Sequence, residues 1–325
     1  MKVSVIVPIY KVEAFIAKCA DSLLNQTLDE VEYVFVDDAS PDESVKRLQA
    51  VIERYPQRQS QVKLVRLPEN RGLPAARNAG MEKATGEYVF HCDSDDFVDA
   101  SMLEELYYEA VRQDADIVWC DWFLSFARRE RYMKQPAYST PDEALRAMLA
   151  GRMKFTVWNK LVRRQLYEDH KITFPDGYGM GEDMTMMLLF ACANRVVYIP
   201  RAFYHYVKLN PGSFTRTHSD RHVVELDYNV KRVALFLKER FGDQYDREIA
   251  FLKLSVKFPL LISNDKDKYR LWTELYPEAN CYIPLNDYVS LRCRLLQEYA
   301  WRKKFWIVRL HYLFLQKLFY GLIYR

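Results

Sequence analysis

An α/β fold built on a doubly wound sheet is predicted by three observations. Apolar, β-branched runs alternate with segments of helical period across residues 2–122. Helix-start signals follow several of the runs. Two acidic clusters, Asp37-Asp38 and Asp93-Ser94-Asp95-Asp96, stand directly after such runs. Sheets of this kind bind ligands beyond the carboxyl ends of their strands, so the two clusters should face one cleft.

The first run, Lys2–Tyr10 (KVSVIVPIY), reads as a central parallel strand. Val12, Phe15, Ile16, Cys19 and Leu23 then recur at helical spacing up to Gln26. Tyr33–Val36 is a second strand. Ser40-Pro41-Asp42-Glu43 has the form of a capping box with proline at the first helical position, ahead of a helix reaching Tyr55. Val62–Leu67 is a third strand, Pro68–Pro74 a loop, and Ala75–Ala84 a helix carrying Arg77 and Asn78. Glu87–Phe90 reads as a buried strand leading into His91-Cys92-Asp93-Ser94-Asp95-Asp96. Ser101–Gln113 is a helix capped by Ser101 and Glu104, and Asp116–Trp122 a fifth strand.

Residues 123–140 look irregular and basic, and Thr140-Pro141-Asp142-Glu143 caps a short helix to Ala150. The run Val157–Leu161 leads to a glycine turn, Gly177-Tyr178-Gly179-Met180-Gly181, then to Glu182-Asp183 and a helix with an apolar face. Val196–Ile199 and Tyr204–Leu209 read as two more strands. From Ser219 onward the pattern is helical, which suggests an appendage.

Bulk properties narrow the function classes. Half the residues are hydrophobic, enough for a sizeable core and against global disorder. A net charge of +3 does not argue for nucleic acid, and none is expected as a partner. The six cysteines are scattered without a CxxC pair and read as reduced thiols. No secretory segment opens the chain and no spanning run of apolar residues occurs, so a cytoplasmic setting is expected. Trp301–Arg325 mixes aromatic and basic residues with no acidic one. Such a segment suits an anionic membrane surface, with a peripheral place on the inner face of the cytoplasmic membrane. It equally suits a helix packed on the protein with solvated basic faces.

Three carboxylates within four residues repel one another unless a cation or a donor-rich ligand sits among them. Hard divalent ions such as Mg²⁺ or Mn²⁺ take one or two carboxylates together with substrate phosphates. Asp95 and Asp93 are therefore the candidate ligands, Asp93 being open also to a ribose contact, and Asp96 could cap the next segment of chain. Asp38 offers an acceptor to a base imide and Tyr10 a stacking face, although aspartates after a strand also serve as turn and cap residues. Asp183 could act as a general base or merely as a helix cap. An anion-stabilised carboxylate is a poor base, and desolvation by Met180 and Met184 would offset this. His205, between Tyr204 and Tyr206, is a weaker candidate for a third metal ligand. P-loop, GxGxxG, GxSxG and HExxH patterns are all absent.

The stretches VSVIVPIYKVEAFIAKCADSLLNQT, EYVFVDDASPDES, NRGLPAARNAG, GEYVFHCDSDDFVD and GEDMTMML, in this order and spacing, resemble the bacterial family-2 inverting glycosyltransferases of GT-A fold. The resemblance covers residues 1–215 and leaves 216–325 as a helical region. It implies a mixed doubly wound sheet flanked by helices, a nucleotide-sugar donor, most often a UDP-sugar, and a divalent cation. It also implies a glycan or lipid-linked glycan acceptor in cell-surface polysaccharide synthesis. Residue by residue, Pro8, Tyr10 and Asp38 would line the nucleobase pocket, Asn70 and Arg77 would approach the nucleotide, and Ser94 would lie with them. Asp93 and Asp95 would serve ribose, phosphate and metal, and Asp183 would be the base. A Tyr-Arg pair followed by Ser is common in the family. Here Tyr206-Val207-Lys208 and Ser213 stand at those positions, with Val207 replacing the arginine. The implied reaction is one in-line displacement at the anomeric carbon. The rival classes are a non-catalytic nucleotide-sugar-binding protein, a membrane-surface assembly component, and a metal-dependent nucleotidyltransferase or phosphohydrolase.

Overall fold

The computed structural model describes residues 1–208 and 220–314. Leu209, Ser213, Ser219 and residues 315–325 of the basic-aromatic segment lie outside them. The chain forms two compact units, Met1–Ala144 with Phe155–Val233, and Leu145–Lys154 with Ala234–Arg325.

The first unit is built on one sheet. Its strands are β1 (Val3–Ile9), β2 (Val31–Asp37), β3 (Val62–Arg66), β4 (Tyr88–His91), β5 (Phe97–Val98), β6 (Ile117–Ser125), β7 (Glu130–Met133), β8 (Lys160–Arg163) and β9 (Val196–Val207). They lie in the order β3-β2-β1-β4-β8-β6-β9-β5, with β7 paired to β6. β1 pairs in parallel with β2 and β4, and β3 continues the parallel set. β8 runs antiparallel to both β4 and β6, so the sheet is mixed.

All seven residues of β1 are buried, as a strand covered on both faces requires. Val3, Val5, Val7 and Ile9 pack with α1 (Ile16–Leu24), α2 (Ser44–Ile52) and α4 (Met102–Gln113). Ile6 points the other way, into a smaller cluster with Val34, Val36 and Val89. Ala76 of α3 (Leu73–Met81) belongs to that cluster. Alternation along the strand thus puts helices on both faces. A Cβ on Gly80 would collide with Ile6 Cγ2, so glycine lets α3 press against β1. Arg77, one turn earlier on α3, is carried in with it.

Several local expectations need correction. Ser40–Glu43 is no capping box: α2 starts at Ser44, and Asp42 Oδ1 accepts from the Ser44 backbone N–H at 3.2 Å. The Ser40 hydroxyl instead accepts from Lys11 N and donates to Asp42. Ser101 does not cap α4, because its hydroxyl donates to Glu105, while Glu104 accepts from Thr27. Proline starts α3 early, at Leu73 with Pro74 in its first turn. Residues 123–133 are not irregular: β6 extends to Ser125 and turns into β7, with Phe123 edge-on to Tyr132. Val196–Val207 is one strand rather than two. Pro200 lies at a register shift opposite Cys120 and Asp121, a place where proline's missing donor is tolerated. The capping box at Thr140 is present, with Thr140 Oγ1 accepting from Glu143 N and Glu143 Oε2 from Ser139 N and Thr140 N. It opens α5 (Pro141–Leu149). α6 (Arg164–Asp169) and α7 (Thr185–Cys192) complete the chain order up to β9.

The remaining helices are α8 (Asp220–Phe241), α9 (Asp246–Lys257), α10 (Lys266–Glu274), α11 (Leu291–Trp301) and α12 (Phe305–His311). Trp272 is fully buried in the second unit, where the Lys257 ammonium donates to Leu275 O and Asn280 Oδ1. All six cysteines are free thiols. Among the described residues no helix is long and apolar enough to cross a membrane.

Candidate active site

Strand direction assembles the site. β1, β2 and β4 end on one edge, so Asp37-Asp38 and Asp93–Asp96 leave the sheet there. β8 runs the other way, which brings its first residue, Lys160, to the same edge. The Phe90–Leu161 register places Lys160 one step beyond the last pair, beside His91.

At the β1–β2 end, Asp38 N–H donates to Ile9 O at 3.0 Å, which sets Asp38 beside Tyr10. Asp38 is buried. Its Oδ1 accepts from Arg71 N at 2.7 Å, and its Oδ2 from Gly72 N at 2.8 Å and Asn70 Nδ2 at 3.0 Å. Burial raises its carboxyl above the usual range, against the lowering by these backbone donors. Asp38 and Asn70 therefore shape the Asn70-Arg71-Gly72 loop, and any base contact would share lone pairs already in use. Tyr10 is 40% exposed, whereas Pro8 is buried inside β1.

The acidic turn divides its labour. Asp96 is buried and accepts from Tyr204 OH at 2.7 Å and Val207 N at 2.7 Å. Burial pushes its carboxyl well above the usual range. It ties the turn to β9, and the Asp93 N–H donates to the same tyrosine oxygen at 3.1 Å. Asp93 Oδ1 accepts from Arg77 Nη2 at 2.9 Å. Ser94 is buried and Asp95 is half-buried between them.

Arg77 is the hub. It is 1% exposed, and its guanidinium lies 3.9 Å from Glu182 Oε1 as well as against Asp93. Its Nε and Nη1 are buried and face no acceptor. Glu182-Asp183 forms a short 3₁₀ turn after Gly181, whose φ of +88° is open to glycine and disfavoured for other residues. The preceding turn is held by the first turns of α8: Glu225 accepts from Met180 N, and Asn229 Nδ2 donates to the carbonyls of Tyr178 and Met180. Tyr178 stacks on Tyr228. Asn78 clamps the approach, exchanging two hydrogen bonds with the Phe174 backbone, and Arg71 pairs with Asp176.

Asp183 Oδ1 is shielded from solvent and has no hydrogen-bond partner. Burial raises its carboxyl to about 6, opposed by the cations of Arg77 and Lys160 and reinforced by Asp93. Glu182 is pushed well above the carboxylate range, first by burial and then by the Asp183 charge. Of the pair, Asp183 is the one that ionises near neutral pH.

Lys160 is not legible in the sequence as a site residue. Its ammonium is buried and donates to Thr156 O at 2.6 Å and Asn159 Oδ1 at 2.9 Å. Burial lowers it to about 7, against the pull of Asp183. The one signal in the sequence is a lysine set among Val157, Trp158 and Leu161. Trp158 escapes sequence reasoning too: it stacks on Tyr204 at 4.5 Å and Tyr206 at 5.4 Å, bracing the strand that holds Asp96.

His205 is engaged at both ring nitrogens. Its ring is sandwiched by Phe97 and Phe123, with Nδ1 at 2.7 Å from Glu130 and Nε2 at 3.1 Å from Asp99. Among the described residues no group of three or more His, Cys, Asp or Glu side chains is arranged to hold a metal ion.

Comparison with known proteins places the chain in a family. The model of glycosyl transferase family 2 matches residues 4–179. The chain belongs to glycosyltransferase family 2. It is 33% identical over 257 residues to the uncharacterised glycosyltransferase EpsJ of Bacillus subtilis, covering 77% of this chain and 69% of that one. It is 30% identical over 301 residues to a cholesterol galactosyltransferase of Borreliella burgdorferi, covering 84% and 80%. In fold it is similar to residues 1–349 of TarS of S. aureus in complex with UDP-GlcNAc. The TM-score is 0.73 at 21% identity, and 96% of this chain and 91% of that one are covered. A mannosyltransferase of Pyrobaculum calidifontis, in complex with GDP-Man and Mn²⁺, matches with a TM-score of 0.52 at 18% identity, over 93% and 87%. The chain is thus a glycosyltransferase with the mixed α/β sheet of the GT-A fold, and a poly(ribitol-phosphate) beta-glucosyltransferase of Bacillus spizizenii is 30% identical to it over 192 residues, covering 58% of this chain and 29% of that one.

Proposed function

We propose that this family-2 enzyme moves a hexosyl or N-acetylhexosaminyl group from a nucleotide-sugar to a hydroxyl of a glycan acceptor, free or lipid-linked, with inversion. UDP-sugars are the first donors to test, a choice supported by the UDP-GlcNAc complex of the TarS neighbour. The transfer chemistry is assigned to residues 1–215, braced at the glycine turn by Glu225 and Asn229, and a separate role to the helices that follow α8.

One observation carries the reading. A shielded Asp183 oxygen without a partner, on a carboxyl raised to about 6, shares its site with a buried arginine that keeps two unused donors. A carboxylate raised towards neutrality is a competent general base, and it ionises in the range where the acceptor proton must be taken. Arg77 Nε and Nη1 suit phosphate oxygens. Asp183 takes the proton from the acceptor hydroxyl, and Arg77 with Lys160 holds the base and the donor's anionic end in one field. Asp38, Asn70 and Tyr10 shape the base-binding end.

The donor set also fits a divalent cation. Asp96 is consumed by Tyr204 and Val207, so the hard oxygen donors of the turn are Asp95 and Asp93, the latter shared with Arg77. Two carboxylates are an incomplete shell, suited to Mg²⁺ or Mn²⁺ arriving with a diphosphate. When bound, the ion neutralises charge on the leaving nucleoside diphosphate.

Donor turnover with purified Asp183→Asn and Asp95→Ala tests these roles. Asp183→Asn should lose roughly 10²- to 10⁴-fold in rate. Near wild-type rates for either variant would refute its assigned role. A thermal-shift screen of nucleotide-sugars with Mn²⁺ or Mg²⁺ should show one donor stabilising the protein only when metal is present.

A further inference from the structure

The last two described helices turn their apolar side outward. Phe305 and Val308 face inward, Val308 fully buried and the Phe305 ring stacked on Tyr269 at 5.1 Å. Trp306 and Leu310, four residues apart, share the opposite face of α12, and Phe314 lies just past its end, at 65%, 56% and 64% exposure. Seven of the fifteen exposed large hydrophobic side chains among the described residues fall between Leu285 and Phe314. This is a concentration rather than the usual scatter of single exposed residues.

Charge accompanies the apolar row. Arg302, Lys303, Lys304 and Arg309 are all exposed around it. Between Ser290 and Phe314 the only acidic residue is Glu298, which lies 3.9 Å from Arg302. A second protein surface would match such a row with apolar area and scattered charges of both signs. A surface that is apolar below and uniformly negative above matches it throughout, and tryptophan favours the boundary between those two layers.

We propose that α11 and α12 dock the enzyme on an anionic lipid bilayer. Trp306, Leu310 and Phe314 enter the headgroup–acyl boundary while Lys303, Lys304 and Arg309 meet lipid phosphates. This docking is independent of the transfer chemistry, since none of these residues belongs to the site around Asp183.

The test is co-sedimentation of the full chain with vesicles of phosphatidylcholine alone and of phosphatidylcholine with phosphatidylglycerol in equal parts. Each sample is run alongside a donor-turnover assay without vesicles. The chain should pellet with the mixed vesicles and stay in solution with the neutral ones. Trp306→Ser with Leu310→Ser and Phe314→Ser should abolish pelleting. Each basic residue near such a surface is worth roughly fivefold in partitioning, so replacing Lys303, Lys304 and Arg309 by glutamine should weaken binding about a hundredfold. Turnover should be unchanged in both variants, which shows that each is folded. No pelleting with mixed vesicles, equal pelleting with neutral ones, or undiminished pelleting of the serine variant would overturn the proposal. So would a wild-type dimer in gel filtration that the serine variant dissociates, because the row would then be an interface between two copies.

Discussion

Replacing Asp183 by asparagine should remove activity and, above neutral pH, make the protein more stable. Burial raises the Asp183 carboxyl from 3.8 to about 6 in the folded enzyme. Between those values the folded state keeps a proton that the unfolded chain has released. Stability therefore falls as pH rises through this window, at about 1.4 kcal/mol per pH unit. The full penalty for ionising Asp183 is about 3 kcal/mol, developed by about pH 7 and absent below about pH 4. Glu182 stays protonated across the window, because its own burial pushes it well above the carboxylate range. Asparagine carries no such penalty, and any hydrogen-bonding cost of its amide is independent of pH. The difference in unfolding free energy, variant minus wild type, should then rise by about 3 kcal/mol from about pH 4 to about pH 7 and stay flat on either side. Urea denaturation across that range, with unchanged m-values, measures it. A flat difference profile would show that Asp183 titrates normally, and the argument for a base held ready near neutrality would fail.

The same charges set further expectations. Arg77→Met leaves the partly exposed Asp93 without its cation and should cost about 1.5–3 kcal/mol. Adding Asp93→Asn should recover most of that loss, and a double variant as unstable as the single would mean lost packing rather than a stranded charge. Lys160→Met removes a cation that holds the Asp183 carboxyl down, so the acid limb of kcat/KM should move up by about one pH unit; an unmoved limb would detach Lys160 from the base. Glu32, buried on β2, accepts from Lys63 Nζ at 2.5 Å and from Ser4, Thr85 and Gly86, and these donors hold it near 2 against the desolvation that would raise it. Its contribution is complete above its ordinary value of 4.5 and is lost as pH falls towards 2. Glu32→Gln should thus cost about 3 kcal/mol at neutral pH and progressively less below about pH 4, as urea denaturation at the two pH values would measure.

The alternation of apolar runs and helical segments determined the α/β sheet, because burial on both faces demands unbroken apolar strands such as β1. The placement of Asp38 and of Asp93–Asp96 directly after apolar runs determined that they share one sheet edge, since carboxylates after parallel strands leave the sheet on the same side; Glu182-Asp183 follows a glycine turn instead. Sequence signals failed where a side chain had two possible partners. Ser40 and Ser101 look like caps, but Lys11 and Glu105 claim their hydroxyls. The sequence already set Asp96 aside as a structural residue, but only the tertiary structure gave it its partners, by bringing Tyr204 and the Val207 amide from β9, more than a hundred residues away, onto Asp96. Only the structure, too, raised the Asp183 carboxyl to about 6. That value depends on the buried surroundings and on the nearby cations of Arg77 and Lys160. Lys160 reaches the site because β8 is antiparallel, and strand direction follows from pairing across the sheet, which no local stretch of sequence encodes.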